Sequence, residues 1–80
     1  MRAENQEILE RIFRIVLEIP NDEDVHQARQ INHPRWDSLA HLSLIAAIDS
    51  ELGVTLSDIS DAEQITSFAS ATILLGEMGL

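Results

Sequence analysis

The chain has 80 residues, no cysteine, no lysine and a net charge of −9, with 45% apolar residues but only three aromatic ones, Phe13, Trp36 and Phe68. That length gives one domain over residues 1–80 with a single small core, and the lack of cysteine excludes a disulfide framework and thiolate metal sites. The acidity is lopsided, with all five arginines and seven acids before Trp36 but seven acids and no cation from Trp36 onward, which disfavours nucleic acid and anionic lipid and suits enzymes with basic docking patches.

Residues 3–19 read as a first helix. Ile8, Ile12, Ile15, Val16 and Ile19 fall on one face, widened by Leu9, Phe13 and Leu17, and Glu7–Arg11 and Glu10–Arg14 are i,i+4 pairs in the favourable orientation. Pro20 pushes Ile19 out of the helical region and ends the element. The connection from Pro20 to Asp37 is too long for an ordinary helix–helix turn. Asn21 and the acids after it can cap a short turn through Val25 and Ala28, while Val25, Ile31 and Trp36 are the candidates to pin the loop to the core.

A central helix follows, capped by Asp37 or Ser38 and ending at Gly53, with apolar residues at Leu39, Leu42, Ile45, Ala46, Ile48 and Leu52. Pro34 keeps the entering chain extended. Ser57 then offers a cap for a short helix through Ile59 and Ala62, and Thr66 or Ser67 caps a last helix with Phe68, Ala71, Thr72 and Leu75 as its stripe and Ile73 beside it. The expected fold is all-α: three main helices plus a short one, with a long loop between the first and second. No segment approaches the roughly 18 apolar residues of a membrane span, and Met1-Arg2-Ala3-Glu4 leads into a charged helix unlike a secretory leader. A monomeric cytoplasmic protein without a membrane span is the expectation.

An Asp37-Ser38-Leu39 tripeptide opens the central helix, which closes with Glu51-Leu52-Gly53-Val54; Leu56-Ser57-Asp58 and Ile65-Thr66-Ser67-Phe68 then lead to a last helix. Together these residues resemble an acyl carrier protein over nearly the whole chain. The resemblance implies that a phosphopantetheinyl transferase esterifies Ser38 with phosphopantetheine from coenzyme A, Asp37 and Leu39 flanking the attachment point, and that the resulting thiol arm carries an acyl group between partner enzymes. It also implies Leu42, Ala46, Ile59 and Phe68 as the lining of an acyl pocket. Asp49, Glu51, Asp58, Asp61 and Glu63 are the acids available for docking synthase or acyl-transferring enzymes with basic patches. Such a protein positions and displays a cofactor and is not itself an enzyme. Ala40, His41 and Ser43 stand where many fatty-acid carriers have acids, and Trp36 where a small residue is common. Those departures favour a discrete carrier for specialised polyketide, fatty-acid or lipid assembly.

Blander readings stand beside this one. Ser38 alone reads best as a helix cap, and only its placement in the whole pattern favours attachment. His26, His33 and His41 fit no metal-ligand spacing and read as solvated side chains. Asp37, Ser38 and His41 lack the Gly-x-Ser-x-Gly elbow of a hydrolase. A D-alanyl-type aminoacyl carrier and an unmodified acidic helical adaptor that binds a basic partner are the alternatives.

Overall fold

The structure, a computed structural model, describes residues 1–56 and 59–80, with the backbone alone described for Ile59 and Ser60. Helix α1 runs Ala3–Val16, α2 Ser38–Leu52, α3 Ile59–Glu63 and α4 Phe68–Glu77, and two 3-10 turns, Val25–Gln27 and Gln30–Asn32, lie in the long connection between α1 and α2. The expected all-helical architecture of three main helices and a short one is the one observed. Among the described residues the only extended pairing is an isolated antiparallel bridge between Arg29 and Ser67. None of the described helices is long and apolar enough to cross a membrane.

α1 stops three residues before the sequence predicts. Leu17 follows the helix, Glu18 takes the left-handed conformation (φ 54°), and the Ile19 N–H donates to the Arg14 carbonyl at 3.0 Å. A non-glycine residue there costs about 1 kcal/mol. The reversal places both Leu17 and Ile19 in the core, and burial of two such side chains, at about 1.5–3 kcal/mol each, outweighs the backbone cost. The Arg14 guanidinium secures the turn by donating to the Pro20 carbonyl at 2.7 Å.

One apolar cluster joins the elements. Leu9, Ile12 and Phe13 of α1 meet Leu44 and Ile48 of α2, Leu56 and Ile65 beside α3, and Phe68, Ala71, Leu74 and Leu75 of α4, with no buried polar side chain among the described residues. Phe13 is the hub: its ring meets Trp36 (5.5 Å, 83°) and Phe68 (5.2 Å, 82°) edge to face, the arrangement aromatic quadrupoles favour. Val25 and Trp36 anchor the long connection as expected, and Ala28 joins them, whereas Ile31 is 89% exposed. Backbone pairing supplies what Ile31 does not: the Gln30 N–H donates to the Thr66 carbonyl (2.8 Å) and the Phe68 N–H to the Ala28 carbonyl (3.0 Å), tying the loop to the entrance of α4.

Helix faces are rotated from the expected ones in two places. On α1, Ile15, which belongs to the apolar face the sequence predicts, is exposed. On α2 the buried residues are Leu44 and Ile48, with Ala40, Ile45, Ala47 and Leu52 packed partly against the core, so that Leu39, Leu42 and Ala46 face outward. Apolar residues recur on nearly every side of α2, so periodicity alone does not choose between faces, and packing against α1 does. α2 ends where Gly53 adopts a left-handed conformation (φ 66°) that only glycine takes without penalty. On α4 the inward stripe is Phe68, Ala71, Leu74 and Leu75, and Ile73 is exposed.

Candidate functional site

The site is built at the start of α2. Asp37, extended at φ −91° and ψ −174°, is the cap: its Oδ1 accepts the Ala40 N–H at 2.8 Å, and its carbonyl accepts the His41 N–H at 2.9 Å. That settles which of the two candidate caps is used. Ser38 is therefore the first helical residue, exposed to solvent, and among the described hydrogen bonds none engages its hydroxyl. The unpaired N–H groups of the first turn and the positive end of the helix dipole lie beside it, an environment that favours an added anion.

The surroundings of Ser38 are apolar on one side and charged on the other. Leu39 is 74% and Leu42 65% exposed, and with Ala46 they form an outward i, i+3, i+7 stripe that begins next to the serine. Beside it an open recess of about 500 Å³ lies between Val16, Pro34, Leu39 and Ser43, with Asp37 and Arg35 on its rim. Arg35 is paired with Glu18 across that recess.

Three of the four pocket candidates, Leu42, Ala46 and Phe68, have described side chains. Leu42 and Ala46 face solvent, while Phe68 is buried against Phe13, and the recess that Phe68 does border lies on the α4 surface with Met1, His26 and Ile73. The rotation of α2 that buries Leu44 and Ile48 is the physical reason. The Ile59 side chain lies outside the described residues. Of the docking acids, Glu51 and Glu63 are exposed and Asp61 is half-buried, whereas Ser57 and Asp58, the expected cap and a docking candidate, lie outside the described residues. Asp49 is half-buried and works internally: its Oδ1 accepts the Leu56 N–H at 2.9 Å, holding the chain as it leaves α2.

Histidines are where sequence reasoning missed most. His41 is not a solvated side chain but a half-buried bridge: its Nδ1 accepts the Trp36 indole N–H at 3.1 Å, its Nε2 lies 3.0 Å from the Ala62 carbonyl, and the two rings meet edge to edge (6.2 Å between centroids, 23° between planes). The legible signal was spacing. Trp36 directly precedes the cap and His41 lies one turn into α2, so both side chains reach back over the same turn. His26, exposed, rests against Glu10 (3.3 Å) and the Phe68 ring (4.6 Å).

No family model matches this chain, and no solved structure matches it significantly. What the fold and site define is a class: a small acidic helical protein that displays one serine at the start of its central helix, flanked by exposed leucines.

Proposed function

We propose that this chain is a carrier protein whose Ser38 hydroxyl is the attachment point for a phosphopantetheine arm, on which an acyl group travels as a thioester between enzymes. The observation that carries the reading is the division of labour at the turn: Asp37 does the capping, so the neighbouring Ser38 hydroxyl is left exposed. Ser38 thus stands outside the capping role that serine most often takes at a helix start. The phosphodiester formed on modification would sit at the positive end of α2, and the thioester chemistry would belong to the arm.

The chain's own share of the work is display and docking. Leu39 and Leu42 give a transferase or synthase an apolar foothold next to the attachment point, and the acids from Asp37 onward, Glu51 and Glu63 among the exposed ones, favour basic partners. A cargo pocket formed by Leu42 and Ala46 is not part of this reading, since both face outward. Cargo and pathway class, polyketide, fatty-acid or other lipid, stay with the sequence resemblance. Incubation with coenzyme A and a broad-specificity phosphopantetheinyl transferase should add one arm's mass to the folded protein, and Ser38→Ala should prevent it. An unmodified mass under conditions that load a control carrier would overturn the proposal and leave the acidic adaptor as the better account.

A further inference from the structure

Ile15 has no task in the core, since it is 69% exposed on α1. It borders a groove of about 180 Å³ between α1 and α2, walled by Ile8, Ile12, Ile15 and Val16 from the first helix and by Ala47 from the second. Ala47 contributes only a methyl group there, and the space it leaves is the groove. The volume is below the roughly 300 Å³ at which pockets for drug-sized ligands begin, so the groove suits something small and apolar.

The groove leads to Ser38. Val16 lines it and also lines the open recess beside the serine, together with Pro34, Leu39 and Ser43. The two spaces therefore meet at one side chain. From Ser38 to Ala47 the path follows α2 for about 14 Å, at 1.5 Å per residue. Arg11 and Glu51 line the groove as well, and Glu51 lies one turn beyond Ala47, away from the serine. Neither takes part in the described ion pairs, so both are hydrated charges. An alkyl chain that reached them would strip that water at a cost, which sets a limit on its length.

Resting on the reading of Ser38 as the attachment point, we propose that the α1–α2 groove seats the cargo, and that the cargo is a short apolar acyl chain lying against Ile15. Leu42 and Ala46 face outward and give no such shelter. Each methylene taken from water favours the seated form about fourfold. A hexanoyl chain therefore seats, and an acetyl group has too little apolar surface to do so.

The experiment loads the folded chain from hexanoyl- or acetyl-coenzyme A with a broad-specificity phosphopantetheinyl transferase, and reads nuclear Overhauser contacts between acyl protons and side-chain methyls. Loading forms a bond from Ser38 Oγ to phosphorus and releases adenosine bisphosphate. Hexanoyl protons should contact the methyls of Ile8, Ile15 and Val16, and acetyl protons none of them. Ile15→Glu puts a charge into the groove at an exposed position; its mass gain should be unchanged while the contacts to Ile8 and Val16 weaken about tenfold. A loaded wild type whose hexanoyl protons contact no α1 methyl, or contact Leu74 and Leu75 instead, overturns the groove and leaves attachment at Ser38 standing. Contacts undiminished in Ile15→Glu overturn it too. A chain that gains no mass overturns attachment and the groove together. Should Ile15→Glu fail to fold, the wild-type contacts decide alone.

Discussion

Asp37 and Ser38 stand side by side, yet the structure gives them separate work, and substitutions at Asp37 test that separation. Asp37→Ala removes the acceptor of the Ala40 N–H, a 2.8 Å bond at the mouth of α2. Loss of an N-cap of this kind costs about 1 kcal/mol, with a range of about 0.5–2. Asn at the same position still offers an oxygen to Ala40, so Asp37→Asn gives up only the charge at the positive end of the helix, about 0.3 kcal/mol at an exposed site. For a domain of this size an urea slope of about 1 kcal/mol per molar turns the Ala loss into a midpoint lower by about 1 M. The melting temperature should fall by about 4–8 °C in Ala and by no more than about 3 °C in Asn. Urea unfolding followed by Trp36 fluorescence reads both, since that indole is buried in the folded state. An Ala variant with an unchanged midpoint, or an Asn variant as unstable as Ala, would refute the assignment of Asp37 as the cap and with it the argument that frees Ser38. With stability intact in Asp37→Asn, a slower transferase reaction in that variant would isolate a recognition role for the carboxylate.

Other positions separate structural from functional roles in the same way. Asp49→Ala should cost about 1–2 kcal/mol because the Leu56 N–H loses its acceptor, whereas Glu51→Gln should change stability by less than about 0.5 kcal/mol; equal effects in urea unfolding would contradict the internal role of Asp49. Leu39→Ser with Leu42→Ser should leave the melting temperature nearly unchanged, since both side chains are exposed, but lower the kcat/KM of transferase modification; a loss of more than about 1 kcal/mol of stability would mean that these leucines belong to the core. Phe13→Leu should cost about 1–3 kcal/mol through loss of two edge-to-face contacts, read as a lower urea midpoint at unchanged slope, and a variant as stable as wild type would remove Phe13 from its place as hub.

Much of this fold was legible because punctuation in the sequence is local. Pro20, Pro34 and Gly53, and the capping residues Asp37 and Ser67, act within a few residues of themselves, so the existence and order of the helices followed from them. Ser67 is a good instance: its hydroxyl accepts the Ser70 N–H at 2.9 Å, and the Ser70 hydroxyl accepts the Ser67 N–H in return, a reciprocal cap written within four residues. Which face of each helix is buried was less legible. α2 offers apolar residues on nearly all sides, and the choice of Leu44 and Ile48 over Leu42 and Ala46 is made by α1, far away in the chain. Ile15 on α1 is exposed for the same reason, whereas Ile31 is exposed because the loop is held by Ala28 and by backbone pairing with residues 66–68. At the site, the place of Ser38 at the start of α2 is legible from Pro34 and the capping residues, while the role of His41 depends on an Ala62 carbonyl 21 residues further on that no local pattern announces.

Intact-mass spectrometry of the folded chain after exposure to coenzyme A and a phosphopantetheinyl transferase, run beside Ser38→Ala, tests the central claim most directly. A gain of one phosphopantetheine on wild type and none on the alanine variant is the predicted result. A wild-type mass that does not move, or a gain that survives the loss of the Ser38 hydroxyl, would contradict it.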